Sequence, residues 1–379
     1  MDEQVKQEKL KHRRLLGLTK IVITVIITLM IAAGAVALLL GRSGIALMEG
    51  WLLAKYAFVD TEADLDGAAD LALEALIDGL GDRWSYYLDE EDYLRVTTNR
   101  ANSYVGIGIT VVETDERGLL VQSVTAGGPA EAAGVLTGDI VVAVDGISIA
   151  GEARYDAADL IRGEAGSSVT LTLLDPAGGY RDAVCVRKRM HNPSASGKII
   201  EGSVGYVYLA NFYSGSADSF RSVVDGLLSE GAESLIVDIR NCPGGYVDEL
   251  KEILDYLLPE GPVFTQKSRW WVKSVYESDA NSIDLPMVAI VNANSYSAAE
   301  LLAAQMRESA GSPIVGEITS GKGYSQITFK LPNGGGIGLS TATYCLGSGH
   351  SLIGEGITPD VLIVGDADAQ LQAAIELLK

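Results

Sequence analysis

Cysteine and histidine are scarce in this chain, three of each among 379 residues. Cys185, Cys242 and Cys345 stand far apart, in odd number and in no Cys-x-x-Cys spacing, which excludes a disulfide framework and a cysteine-rich zinc site. They read most simply as small apolar core residues. His12, His191 and His350 are equally scattered, and without a His-Glu-x-x-His helix no metal or other cofactor is expected. Basic charge is in deficit too: 29 Lys and Arg oppose 50 Asp and Glu, a formal net charge of −21. A polyanion of that size repels a phosphate backbone, so general nucleic-acid binding is disfavoured. What the chain has is apolar material, 47% hydrophobic against 21% charged residues, enough for packed cores and over a length that calls for more than one domain.

Ile21 to Leu40 contains no charge, and as a helix these residues would measure about 30 Å, the thickness of a bilayer core. Lys6, Lys9, Lys11, Arg13, Arg14 and Lys20 precede the run and Arg42 alone follows closely, so residues 1–20 are expected to be a cytoplasmic basic tail and residues 21–40 a single transmembrane helix. Everything after about residue 43 is then extracytoplasmic at the cell membrane. A cleaved secretory signal is the competing reading, since Ala35-Val36-Ala37 resembles a cleavage site; the run is longer than the usual signal core. Residues beyond 42 carry a net charge of −25.

Residues 44–100 read as a helical segment, with Leu65, Ala69, Ala72, Leu73 and Leu76 at spacings of three and four. Too short for a large core, this segment is expected to dock on the next domain or on a second copy, giving a homo-oligomer; a plain spacer is the alternative. Between 103 and 190 the texture becomes short β-type runs separated by glycine, with one helix near Asp156–Ile161. After residue 200 strands and helices alternate: Val204–Leu209, Ser216–Ser229, Ser234–Arg240, Tyr246–Leu258, Pro286–Asn292 and Ser297–Ser309. That order argues for an α/β core over 200–379. A hairpin around Pro332-Asn333-Gly334-Gly335 and a helix over Asp366–Lys379 close the chain.

Three loops each sit just past the end of a predicted strand, where α/β folds place their sites. In Asp238-Ile239-Arg240-Asn241-Cys242-Pro243-Gly244-Gly245, a Pro-Gly-Gly turn entering a helix frees backbone N–H groups for an oxyanion, or is a tight turn and nothing more. In Asn292–Glu300, Ser297 begins a helix, where the dipole favours an alkoxide and where serine is also a common cap. In Gly316–Gln326, Lys322 sits between two glycines, ordinarily a solvated loop charge.

The tokens Gly106-Ile107-Gly108-Ile109, Gly128-Pro129-Ala130 with Ala133-Gly134, and Gly138-Asp139-Ile140 running to Val144-Asp145-Gly146 make residues 103–190 resemble a PDZ domain of exported proteases. Gly106, Ile107, Gly108 and Ile109 would bind a peptide: a glycine turn leading into a strand offers N–H groups to a terminal carboxylate, and the strand edge pairs with the incoming chain. Together the three loops resemble the carboxy-terminal processing proteases, also called tail-specific proteases, over roughly residues 60–365. The diagnostic token is a serine followed 25 positions later by a lysine in Gly-Lys-Gly, with glutamine four further on; Ser297, Lys322 and Gln326 fit it. The resemblance implies a Ser nucleophile, a Lys general base and an orienting Gln. It also implies a ClpP/crotonase-like α/β core with an inserted PDZ domain, and an oxyanion hole from Ala298 and either Gly244 or Gly245. Two stretches depart from the family: Asp82-Arg83-Trp84-Ser85 stands where Asp-Pro-Tyr-Ser is usual, and Tyr344-Cys345-Leu346-Gly347-Ser348-Gly349-His350 replaces Tyr-Thr-Pro-Ser-Gly-Arg.

For Lys322 to act as a base near neutral pH its affinity for a proton must fall by about 3–4 kcal/mol, which burial has to supply. Glu300 or Glu317 would oppose this if either faced the amine. The expected function is a membrane-anchored serine endopeptidase cleaving exported proteins with apolar free C-termini. A catalytically inactive, tethered PDZ adaptor or holdase is the alternative, and an acyl-CoA enzyme of crotonase type a third reading.

Overall fold

The apolar run at Ile21 lies within one long helix. The computed structural model describes residues 2–125, 127–269 and 273–379, less the side chains of residues 2–16, 18, 114 and 156; the basic groups of Lys6, Lys9, Lys11, Arg13 and Arg14 lie outside the described residues. Helix α1 covers Asp2–Ala57 and leaves helical geometry at Gly41, φ 61° and ψ −174°, where the expected span ends. Thr19–Ala57 is long and apolar enough to cross a membrane. The chain divides into two compact units, Met1–Leu76 and Ile77–Lys379. Helix α2 (Leu65–Asp78) starts where Asp64 accepts the Gly67 amide at 2.8 Å. Along it Leu65, Ala69 and Leu73 are half-buried, while Ala72 and Leu76, expected on the same stripe, are exposed.

The second unit opens with strand β1 (Tyr86–Leu88) and helix α3 (Glu90–Ala101), so residues 44–100 are not helical throughout. Tyr86 pairs with Gly338, and a side chain at 338 would collide with the Tyr86 ring at 2.3 Å; the glycine lets the tyrosine lie flat, a fit that no local pattern announces. Next come β2 (Ser103–Gly106), β3 (Ile109–Asp115), β4 (Gly118–Val124), α4 (Pro129–Ala132), β5 (Ile140–Val144), β6 (Ile147–Ser148), α5 (Ala157–Ile161), β7 (Ser168–Leu174), β8 (Tyr180–Val186) and β9 (Lys188–His191). Strands β3-β4-β5-β7-β8 form one antiparallel sheet with β6 paired to β5, which leaves β3 at an edge. Its interior follows the two-residue period: Val169, Leu171 and Leu173 of β7 are fully buried. Asp139 of the Gly-Asp-Ile token is also fully buried, accepting the Leu136 amide at 2.7 Å and pairing with Arg181. Strands β2 and β9 pair antiparallel, Ser103 opposite His191, so the chain enters and leaves this β-rich insertion side by side.

The remaining elements are β10 (Ala195–Ile200), β11 (Val204–Leu209), α6 (Ser216–Ser229), β12 (Ser234–Asp238), α7 (Val247–Leu257), β13 (Gly261–Ser268), β14 (Lys273–Ser278), β15 (Met287–Val291), α8 (Ala298–Ala310), β16 (Ile314–Gly316), β17 (Tyr324–Lys330), β18 (Gly336–Leu346), β19 (Val361–Leu362) and α9 (Ala367–Glu376). A six-stranded sheet runs β10-β11-β12-β15-β16-β19, parallel apart from β10. Strands β12 and β15 are buried along their whole length, as a parallel sheet covered on both faces requires. Leu235, Val237, Ala289 and Val291 join the core containing α6, α7 and α8; Ile236, Val288 and Ile290 pack with Ala374 and Ile375 of α9 on the other face. Each large side chain so buried contributes about 1.5–3 kcal/mol. The second sheet runs β1-β18-β13-β14 with β17 paired to β18. Helix α8 is buried from Ala298 to Met306, Glu300 and Gln305 included, and it contacts β15 of the first sheet and β13 and β18 of the second.

Candidate active site

Three loops leave the carboxyl ends of neighbouring parallel strands β12, β15 and β16. Side chains and backbone tie them together. The Asn241 amide donates to Asn292 Oδ1 at 2.9 Å, and Asn292 and Asn294 return Nδ2 bonds to Asn241 Oδ1 at 2.9 and 3.0 Å. Ser295 Oγ donates to the Ile239 carbonyl at 2.8 Å, and Ser320 Oγ to the Ala293 carbonyl at 2.7 Å. At the root of the first loop, Asp238 pairs with Arg240 and accepts the Tyr206 hydroxyl at 2.6 Å.

Ser297, 7% exposed, stands at the turn from β15 into α8 with φ 62° and ψ −120°. For a residue with a Cβ that conformation costs about 1–3 kcal/mol and persists only where surroundings impose it. Glu300 is the restraint. Fully buried, its Oε2 accepts the amides of Ser297 and Lys322, each at 2.9 Å, and its Oε1 accepts the Gly321 amide at 2.8 Å and Thr319 Oγ1 at 2.5 Å. One carboxylate therefore holds the serine turn and the lysine loop together through backbone amides and does not face the lysine amine. Glu317 is turned away as well, accepting from the Ala293 and Gly365 amides.

The Lys322 amine donates to Gln326 Oε1 at 2.9 Å. It lies 5.0 Å from the centre of the Trp84 ring and 5.5 Å from that of Tyr296. Burial brings it down from the usual lysine value of 10.5 to about 8; Arg100 pushes the same way, while Asp82 and Glu300 oppose. Tyr344, 5% exposed, is pushed up by burial, with the neighbouring Ser297 and Ser325 side chains acting the other way.

Gly244 and Gly245 have φ of 75° and 157°. A Cβ on Gly244 would stand 2.9 Å from the Ala298 nitrogen and 3.1 Å from Ser297 Cβ, so the Pro-Gly-Gly turn lies directly against the serine; on Gly245 it would meet the Phe212 carbonyl oxygen at 2.2 Å. The Gly244 amide favours the Cys242 thiolate. Burial nevertheless pushes the Cys242 thiol up to about 12, which leaves it inert as a nucleophile. Among the described residues no group of three or more His, Cys, Asp and Glu side chains is placed to hold a metal ion.

Residues 203–363 match the model of peptidase family S41, and residues 120–175 match a PDZ domain. The carboxyl-terminal-processing protease of Picosynechococcus sp. (strain ATCC 27264 / PCC 7002 / PR-6) is 30% identical over 348 residues, which cover 87% of this chain and 84% of that protein. This chain belongs to peptidase family S41. The C-terminal processing peptidase, chloroplastic, of Tetradesmus obliquus is also 30% identical, over 76% of this chain and 67% of its own, and carboxy-terminal processing protease CtpA of Bacillus subtilis (strain 168) is 29% identical over 79% and 65%. Among solved structures, a photosystem II D1 C-terminal processing protease aligns with 89% of this chain and 97% of its own at 25% identity and a TM-score of 0.49. This S41 peptidase is thus a serine-type endopeptidase with an α/β core and a PDZ domain.

The structure brings Ser297, Lys322, Gln326, Ala298 and Gly244 to one place, with Gly245 next in the turn. In the PDZ segment Gly106, Ile107 and Gly108 are buried, Ile107 packing in the β-rich core at 1% exposure, and Ile109 is half-buried at the start of β3. His350 is exposed with Glu355 3.8 Å away, and His191 ends β9. Sequence reasoning missed Glu300 as a restraint, although serine followed three residues later by glutamate is a capping-box signal. It also missed Trp84 and Arg100, which lie more than 200 residues from Lys322 in the chain and carry no local sign of the contact.

Proposed function

We propose that this S41 peptidase is a membrane-anchored endopeptidase of exported proteins, with Ser297 as nucleophile, Lys322 as general base and Gln326 orienting the lysine. The observation that carries the reading is the dehydrated Lys322 amine bonded to Gln326, on a loop whose Lys322 backbone amide shares Glu300 with the backbone amide of Ser297. Neutral Lys322 takes the proton as Ser297 Oγ attacks the scissile carbonyl. The oxyanion is held by the first-turn amide of Ala298 and by the Pro-Gly-Gly turn, through the amide of Gly244 or of Gly245. Lys322 then returns the proton to the leaving amine, and water, deprotonated in its turn, releases the acyl group. Incubating the full chain with an unfolded protein should yield fragments that disappear in Ser297→Ala; persistence of cleavage in that variant would overturn the reading, and absence of cleavage in both would return the tethered adaptor.

The lysine sets the pH dependence. Since its neutral form is the base and its value is lowered to about 8, kcat/KM should rise about tenfold per pH unit up to roughly pH 8 and level off above it. A limb centred near 10.5 would show that Lys322 is not dehydrated in the working enzyme.

Residues 21–40 anchor the chain with residues 1–20 in the cytoplasm, and residues 103–190 select C-terminal tails. Edge strand β3 and the turn Gly106–Ile109 support this, the carbonyls of Ile107 and Gly108 being taken inward by the amides of Ala130 and Thr125. A free carboxylate accepts charge-assisted bonds that an amide cannot match, worth about 1.5–3 kcal/mol. A substrate with a free apolar C-terminus should therefore be cleaved at least about tenfold faster, at limiting concentration, than its amidated form; equal rates would remove tail recognition. Exposed Leu47, Leu52, Leu53, Leu71 and Leu76 support self-association through the N-terminal helices.

A further inference from the structure

The stretch Asp82-Arg83-Trp84-Ser85 departs from the family pattern, and it lies against the lysine. The Gln326 side chain donates its Nε2 to the Trp84 carbonyl, which leaves Oε1 to face Lys322 Nζ at 2.9 Å. The Trp84 ring stands 5.0 Å from that amine and stacks on Tyr296, centroids 6.0 Å apart, so the amine has an aromatic ring from each of two segments beside it. The segment is fastened on both sides. Arg83 lies over the Trp84 ring, 4.2 Å from its centre, and donates to the Ser320 carbonyl at 2.9 Å, two residues before Lys322. Asp82 accepts the Trp84 amide at 3.1 Å and Ser85 Oγ at 2.6 Å, and Ser85 Oγ accepts the Ser340 amide on β18.

We propose that Trp84 is a positioning residue for Lys322: its ring holds water off the amine while its carbonyl fixes the Gln326 side chain that the amine bonds. The inference rests on the Ser/Lys reading above. A ring beside an ammonium also attracts it, which favours the charged form. Loss of hydration acts the other way and is the largest influence on this lysine, so the net action of Trp84 is to favour the neutral amine. The other charged groups acting on the amine are Arg100 of α3, which disfavours the ammonium, and Asp82 and Glu300, which favour it. None of these is removed by changing Trp84. A tyrosine at this position would present a smaller ring with a polar rim, so the tryptophan extends the dry surface over the lysine.

The test separates dehydration from the aromatic face. The full chain, in detergent and labelled with 13Cε-lysine, is titrated by NMR, with the Lys322 signal assigned by its loss in Lys322→Arg, and kcat/KM is measured over the same pH range. Trp84→Ala should raise the Lys322 midpoint by a pH unit or more and lower kcat/KM at pH 7 about tenfold, with recovery above pH 9. Trp84→Leu, dry but without a π face, should leave the midpoint at or below that of the parent, and Trp84→Phe should match the parent. The proposal is overturned if Trp84→Ala keeps the parent midpoint and loses activity evenly at every pH, or if Trp84→Leu raises the midpoint as alanine does. Should Trp84→Ala fail to fold, Trp84→Leu and Trp84→Phe decide by the same midpoints. Cleavage retained in Lys322→Ala would sink the Ser/Lys reading, while the NMR midpoint would still report what Trp84 does to the amine.

Discussion

Replacing Lys322 by alanine is expected to lower kcat/KM by about four orders of magnitude, to the level of Ser297→Ala, with His350→Ala and His191→Ala close to the parent. The double variant Ser297→Ala/Lys322→Ala should be hardly worse than either single one, because nucleophile and base act as a unit. A His350→Ala enzyme as inactive as Ser297→Ala would replace the lysine by a histidine mechanism. The same lysine has a cost for folding. Its native value, about 8, lies below the 10.5 of the unfolded chain, so the native state binds fewer protons between those pH values. Stability therefore rises with pH across that window, and the cost is fully present below pH 8. Lys322→Met should accordingly be inactive yet more heat-stable at pH 7, by at most about 3 kcal/mol, with the gain vanishing near pH 10.5. A melting temperature that does not respond would mean that the ammonium is better solvated than its place between Trp84 and Tyr296 implies.

Glu300→Ala should damage folding and catalysis together. The buried carboxylate accepts from Ser297 N, Thr319 Oγ1, Gly321 N and Lys322 N, and removing it strands all four donors away from water. Breaking a buried, charge-assisted cluster from one side costs about 3–5 kcal/mol, which for a chain of this size lowers the melting temperature by roughly 5–15 °C. It also frees Ser297 from the restraint that imposes its positive φ, so kcat should fall by about 100-fold even where the variant is folded. Glu300→Gln keeps one acceptor oxygen but turns an NH2 group toward amide donors, and should fall between the two. Calorimetry and kcat measured at low temperature separate the effects. A Glu300→Ala protein with unaltered melting temperature would show that water replaces the carboxylate, and that the serine turn holds itself.

The local character of each signal explains which parts were legible in the sequence. Helix α6 and strand β11 have the bounds their periodicity predicts, because a 3.6- or two-residue pattern is set by neighbours within a few positions. Strand β1 lies where the local pattern predicts helix, because its pairing with Gly338 spans some 250 residues and its tyrosines are as compatible with a helix face as with a pleat. In the site, Ser297, Lys322 and Gln326 are legible through the family resemblance that their spacing carries. Glu300 carried a capping signal that is equally ordinary in any helix, and the direction of its carboxylate, toward amides and away from the amine, is not written in that signal.

Composition and local pattern by themselves determined the apolar N-terminal run, the β-rich insertion and the α/β core, since each is a property of residue type and of short intervals along one segment, whereas the serine-lysine-glutamine series stands out only through its resemblance to the carboxy-terminal processing proteases. The state of the lysine was decided elsewhere. A lysine between two glycines is by local rules a solvated charge, and its lowered proton affinity requires water to be removed by Trp84 and Tyr296 from two other segments, with Arg100 adding repulsion from a third. Desolvation is a property of everything within a few ångströms in space, and only the folded chain brings those residues that close.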